Sequence, residues 1–362
     1  MIATFPEQRE AKRQALLDAV ESLRDVFLAG SDEAESRGTL PQATVDAIYE
    51  SGLFSFKTPH VLGGAEADAM IQLDVIEAAS RIESAAGWCL MIGAGSLANM
   101  AAFLCDEAID EIFAGGKAPK TAGVAAPSGE ATAVDGGYMV SGRWSFASGI
   151  RHAQWVSSGA MLVGGNADQP QHLRIVVPTS QAQIHDDWDV VGLRGTGSCE
   201  FSLSNVFVPQ RFTWAGGEAG PQRGGPNFLL GRPGMQTTGH CGFALGVGRR
   251  ALDAVTELAL SKKRGYRGST ELVADRGSFQ RFLGEADLRL RAARHLVLET
   301  IEEAWASVCQ GITPLPPLQA RMRASATYST GTSARNKLTS SAAVSLGKTH
   351  RRWWTPSWLS KS

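Results

Sequence analysis

From Ala85 to Cys105 the chain reads AAGWCLMIGAGSLANMAAFLC, 21 residues without a charged side chain. Such a run must be removed from water, and as a helix it is long enough to cross a bilayer. Its content points elsewhere. Gly87, Gly93, Gly95, Ser96 and Asn99 interrupt it, and its flanks are acidic, with no basic anchor on either side. The run is read as a helix of small residues buried in a soluble core, which requires other helices to surround it. With 362 residues the chain is long enough to supply them in two or three domains. Charged residues are 20% of the total and the net charge is −1, so extensive burial or subunit contact is expected, and no global field favours nucleic acid or a membrane.

The hydrophobic period then divides the chain. Residues 1–118 read as helical: Leu16, Val20, Leu23 and Phe27 recur at helical spacing, with Gly30 expected to stop that helix, and further helical patterns resume near Ala67 and Asp106. Residues 119–214 read as a β domain. ATAVDGGYMVSGRW is a hairpin about Asp-Gly-Gly, and WVSSGAMLV, LRIVVP and CEFSLSNVFVP follow as strands. A connector rich in glycine and proline occupies 215–235. From 236 the pattern is helical again, with small residues early in GHCGFALGVGRR that permit close helix contact. The tail from about 331 is atypical: Gln310 to Ser362 holds eight Lys and Arg but no Asp or Glu, and it reads as an anion-facing arm or an altered terminus. Five cysteines without a Cys-x-x-Cys pair suggest free thiols in a reducing, cytoplasmic setting.

Several chemistries have no motif here. No Gly-x-Gly-x-x-Gly opens a helix after a strand, GLRGTGS precedes a strand rather than a helix, and neither His-Glu-x-x-His nor Gly-x-Ser-x-Gly occurs. No metal is expected. What stands out is GRWSFASGIRHAQW, Gly142 to Trp155, a strand ending in a Ser-Gly pair flanked by aromatic residues. On residue types alone it fits core packing at a glycine bend, or the shielding of a flat ligand.

Helical domain, β domain, helical bundle is the order of the acyl-CoA dehydrogenase fold. SGRWSFASGIRHAQWV and WDVVGLRGTGSCEFSLSNVFVP resemble the flavin-dependent monooxygenase branch of that superfamily, the two-component hydroxylases. YESGLFSFKTPHVLGG, SAAGW, SKKRGYRG and SFQRFLGEADLRLRAAR agree, so the resemblance runs from about Asp46 to Ala306. It implies an α+β multidomain fold with an N-terminal helical domain, a central β-sandwich or barrel and a C-terminal bundle, assembled as a homotetramer. It implies reduced flavin, FAD or FMN, supplied by a separate NAD(P)H:flavin reductase and held between the β domain and the bundle. With O2 that flavin would form a C4a-hydroperoxide and hydroxylate a small aromatic or heteroatom-containing substrate.

The same resemblance places Ser148 at the reactive N5 edge of the flavin, with Trp144 and Phe146 beside it. Arg194, Thr196 and Ser198 of GLRGTGS would line the cleft, while Arg264 and Gln280 would reach the nucleotide end. Arg194 could instead anchor its turn, and Ser148 could satisfy a strand-end amide. Candidate substrate-pocket residues are Trp88, Asn99 and His240, and His350 is the candidate for the base that the family carries near its end. The alternative is an acyl-CoA dehydrogenase, which needs a carboxylate to take an α-proton. The stretches that would supply it, GRPGMQTTGH and Gln310 to Ser362, have none, and Glu299, Glu302 or Glu303 could serve only in an unusual arrangement. A truncated, inactive member of the superfamily is a third reading.

Overall fold

The computed structural model describes residues 5–164, 171–216, 220–263 and 272–335. Helices come first: α1 (Arg9–Ser22), α2 (Arg24–Arg37), α3 (Gln42–Glu50), α4 (Ala69–Ile82), α5 (Ser84–Phe103) and α6 (Asp106–Ile112). Leu16, Val20, Leu23 and Phe27 are all buried, as their spacing predicts. Gly30 does not end a helix. The chain breaks at Leu23 and α2 runs through Gly30 to a left-handed Gly38, φ 66°. The reason Gly30 is small is a neighbour: an added Cβ would lie 2.6 Å from Thr44 Oγ1.

The uncharged run is α5. Of its apolar window, 72% is buried inside the protein. Its glycines make room for partners: a Cβ on Gly87 would meet Ser80 Oγ at 2.4 Å, and one on Gly93 would meet the Phe54 ring at 2.9 Å. One stripe stays half-buried, formed by Ser84, Trp88, Ile92, Gly95, Asn99 and Phe103. These positions, spaced by three or four, share one helix face. A Cβ on Gly95 would meet nothing within 4 Å, so α5 faces open space there.

The β region is a mixed sheet of β1 (Thr121–Gly123), β2 (Gly129–Val134), β3 (Gly137–Trp144), β4 (Trp155–Leu162), β5 (His172–Pro178), β6 (Gln183–Ile184), β7 (Phe201–Pro209) and β8 (Thr213–Ala215). The order is β6-β7-β3-β2-β4-β5-β8, with β1 also on β4. β2 and β3 form the expected hairpin, Val134 opposite Gly137, with Gly136 at φ 76° in the turn. Gly129 pairs with Gly142 across it, where the β3–β7 register shifts. An added Cβ on Gly129 would lie 2.2 Å from the Trp144 ring, so the two glycines make the slot that this indole fills.

Three helices complete the described chain: α7 (Gly231–Ser261), α8 (Gly277–Cys309) and α9 (Pro316–Arg335). The small residues of α7 do bring it close to α4, since Cβ atoms on Gly242 and Gly246 would lie 2.6 Å and 2.3 Å from Leu73 O and Glu77 O. Arg294 ties α8 to the same helix through Asp74 at 2.6 Å and Glu77 at 2.8 Å. In this way α4 fixes the bundle against α5, and the open stripe of α5 is left between bundle and sheet.

Candidate active site

Two irregular turns of the β region meet over α5. The first follows β3 and carries Phe146 at φ 65°, then Ala147, Ser148 and Gly149. The second precedes β7, with Leu193 at φ 57° and Gly197 at φ 50°. Left-handed backbone at Phe146 and Leu193 is costly for residues with large side chains, and it persists because the turns hold each other. Ala147 N donates to Cys199 O at 3.1 Å and Gly149 N to Thr196 O at 2.9 Å.

Between the turns lies a chain of hydroxyls. Ser148 Oγ is 2.7 Å from Ser198 Oγ, which is 2.7 Å from Thr196 Oγ1. All three side chains are buried. The direction of the chain follows from its ends. Thr196 must donate to the carbonyl of Leu193, 2.9 Å away, so it accepts from Ser198. Ser198 has then spent its proton and accepts from Ser148. Trp88 Nε1, which can only donate, gives to Ser148 Oγ at 2.8 Å. The order is Trp88, Ser148, Ser198, Thr196, Leu193. Ser148 has its hydrogen committed and one lone pair free, so towards a ligand it offers an acceptor.

The bundle forms the other wall. Trp88 stands edge-on to Phe243, centroids 4.7 Å apart, and to His240 at 5.7 Å. His240 Nδ1 is 2.8 Å from Gln236 O. The carbonyl can only accept, so Nδ1 carries the hydrogen and Nε2 is left with its lone pair. Burial, and secondarily the nearby Lys57 charge, hold the pKa of His240 below the usual value, with the backbone bond opposing them, which keeps the ring neutral. Further along α5, Phe103 stacks on Trp214 at 6.0 Å and meets Phe228 edge-on at 6.5 Å. The stripe of α5 is thus bounded by aromatic side chains at both ends.

The candidate residues divide. Ser148, Thr196, Ser198, Trp88 and His240 converge. Phe146 stands at the lip, 69% exposed and edge-on to Trp188 at 6.1 Å. Asn99 shares the stripe but sits three turns beyond Trp88, about 16 Å along the helix. Trp144 does not face the cleft. It is fully buried, stacked on Phe201 at 4.9 Å with Nε1 on Gly159 O at 2.7 Å. Arg194 turns away as well: its guanidinium binds Glu35 O at 3.1 Å, Asp189 at 2.8 Å and Val190 O at 3.1 Å, which anchors its turn to α2. Gln280 is exposed on the first turn of α8, with its amide on Ala274 O at 3.0 Å and no bond to the hydroxyl chain. Arg264 and His350 lie outside the described residues. Phe243 and Lys57 went unremarked in the sequence. Phe243 follows His240 by three, a helical spacing that could have flagged it.

No carboxylate among the described residues bonds to the hydroxyl chain. Glu299, Glu302 and Glu303 are exposed on α8, and Glu303 pairs with Arg321 at 2.5 Å. Glu83 is buried near Trp88, but its carboxylate caps α5 through Ala86 N at 2.7 Å. The hydroxyl chain and the aromatic walls suit a flat, hydrogen-bonding ring system such as an isoalloxazine. They do not suit a reaction that begins with proton removal by a carboxylate.

Comparison with known proteins agrees. Residues 238–345 match the family described as acyl-CoA dehydrogenase, C-terminal domain. The indole-3-acetate monooxygenase of Pseudomonas putida is 33% identical over 306 residues, 84% of this chain and 75% of that protein. The oxygenase component of the FADH2-dependent resorcinol hydroxylase of Rhizobium sp. is 29% identical, over 80% of this chain and 73% of its own. Among solved structures, XiaF from Streptomyces sp., in complex with FADH2 and glycerol, superposes with a TM-score of 0.79 at 26% identity, covering 93% of this chain and 87% of that one.

Proposed function

The chain belongs to the flavin-dependent monooxygenases of the acyl-CoA dehydrogenase superfamily, and from that premise we propose that it is the oxygenase of a two-component system whose reduced flavin rests against Ser148. The observation that carries this reading is the one-way hydrogen-bond chain. Reduced flavin carries a hydrogen on N5 and oxidised flavin does not. A Ser148 oxygen with a free lone pair and a committed proton is matched to the reduced form. Bound reduced flavin would supply the electrons that activate dioxygen. The chain's own residues do the rest. Ser148 holds the N5 hydrogen, Trp88 fixes Ser148, and the aromatic walls keep water from the reacting centre.

The substrate we assign is a small planar aromatic lying along the open stripe of α5, between Trp88 and the rings about Phe103. His240 Nε2 would accept from an N–H or O–H on that ring. Relatives that use FADH2 favour FAD over FMN. No nucleotide-binding motif for NAD(P)H is visible, which fits a separate reductase. Leu260, Leu288 and Leu296 stand exposed on α7 and α8, apolar surface that a homotetramer packed through its bundles would cover. Five cysteines without a disulfide suit the cytoplasm.

Rapid mixing tests the assignment. Protein loaded with reduced FAD and mixed with oxygenated buffer should show a transient near-ultraviolet absorbance. Ser148→Ala should shorten its life at least tenfold and raise the peroxide released per NAD(P)H consumed. An unchanged lifetime in the variant removes Ser148 from the role. Bleaching of oxidised flavin by an acyl-CoA, with no transient, would return the protein to the dehydrogenases.

A further inference from the structure

Lys57 is the buried charge that the oxygenase reading leaves unused. It follows Phe56 in the loop after the 3-10 turn Leu53–Ser55, and it is 4% exposed. Among the described residues its ammonium makes no ion pair and no hydrogen bond. An ammonium held away from water without a counter-charge costs several kcal/mol in general, and such groups are normally paired.

Its surroundings connect it to the cleft. A Cβ on Gly239 would lie 3.7 Å from Lys57 Nζ and 2.7 Å from Met91 Cγ, so the amine sits where α7 and α5 approach each other. Gly239 precedes His240, whose titration responds to the Lys57 charge, and His240 touches Trp88. From α7 the titratable group that faces Lys57 is His240. From α5 it meets Met91, and its own loop contributes the Phe56 ring, 5.4 Å from Nζ. Among the described residues no carboxylate pairs with it.

We propose that Lys57 is a specificity-determining residue that pairs with an anionic group of the substrate, so that the preferred substrate is a planar aromatic bearing a carboxylate. This rests on the oxygenase reading and adds the class of substrate. The pairing supplies the counter-charge that the described residues do not, and it seats the anion on the Met91–Gly239 side of the Trp88–His240 pair. A neutral ring of the same shape would leave the ammonium buried and alone. Burial holds the Lys57 pKa down to about 8, so the amine is mostly charged at neutral pH and loses its proton just above it.

Calorimetric titration with indole-3-acetate and with its uncharged amide tests this, since the probes share ring and shape and differ in the charge of the end group. Wild-type protein should bind the carboxylate at least tenfold more tightly at pH 7, with the preference fading between pH 8 and 9. Lys57→Met should abolish the preference at every pH. Equal binding of the two probes by the wild type, a preference for the amide, or a preference that survives in Lys57→Met overturns the proposal. Binding of reduced FAD to the wild type, measured separately, reports on the oxygenase reading. Flavin binding without carboxylate preference removes Lys57 alone, whereas carboxylate preference without flavin binding removes the oxygenase.

Discussion

Two tryptophans near the same turn have opposite roles. Trp144 lies four residues before Ser148 in sequence, yet it fills a slot cut by Gly129 and Gly142 and gives its N–H to Gly159 O. Trp88 is 60 residues away, yet its N–H reaches Ser148 Oγ at 2.8 Å. One indole is enclosed by the sheet. The other is half-buried where α5 meets the bundle, with His240 and Phe243 against it. Around Trp144 the sheet side is satisfied, ring on ring and donor on acceptor. The bundle side keeps an unused lone pair on His240 and, among the described residues, an ammonium on Lys57 without an ion pair. A region built for stability completes its own contacts, and a region built for a ligand leaves some open.

The contrast can be broken most directly at its enclosed end. Trp144→Ala should cost about 3–5 kcal/mol by emptying a filled slot. Urea denaturation measures it, and a loss under about 1 kcal/mol would mean the sheet tolerates the cavity and Trp144 is no keystone. At the open end the sign should reverse. Lys57→Met should stabilise the protein by about 3 kcal/mol at pH 7, because burial lowers the lysine pKa from 10.5 to about 8. The sign is fixed by linkage. The folded state resists the charge, so wild-type stability is lowest below pH 8 and recovers as pH rises towards 10.5, where the advantage of methionine disappears. Denaturation midpoints at pH 7 and pH 10 decide it, and a destabilised variant at pH 7 would show that the amine has a partner after all.

Smaller changes sharpen the same contrast. Trp88→Phe keeps the ring packing and removes the donor, so it should cost only about 1 kcal/mol of stability. Its effect should fall on coupling, with peroxide rising relative to hydroxylated product. Normal coupling would leave Trp88 as a packing residue like Trp144. Phe146→Gly should have the least effect on stability, a gain of about 1 kcal/mol or less from relieving φ 65° at a ring already 69% exposed. A simultaneous loss of affinity for reduced FAD would identify Phe146 as part of the flavin platform, and unchanged affinity would exclude it.

The sequence made some of this legible and hid the rest for physical reasons. The hairpin about Asp135 and Gly136, the strands through Trp155 and Phe201, and the burial of Leu16, Val20, Leu23 and Phe27 follow from periodicity, which each segment carries within itself. The uncharged run could be assigned to a core helix because its glycines mark close approaches. Ser148, Thr196 and Ser198 could be named because two motifs resemble a known family, and the structure brings them together. Gly30 misled because a glycine at a helix–helix approach looks, in sequence, like a glycine at a helix end. For Arg194 the sequence left two roles open, lining the cleft or anchoring its turn, and only its carbonyl and carboxylate partners favour the second.

The order of periods along the chain determined the helix–sheet–helix architecture, and the two β-region motifs determined where the hydroxyls would be. Which aromatic rings face the cleft was decided only by tertiary structure, as was the direction of the hydrogen-bond chain and the fact that Lys57 has no counter-charge among the described residues. Period states which side of an element is buried, but not what stands opposite. Residues 60 positions apart, such as Trp88 and Ser148, acquire a relation only when the whole chain has folded.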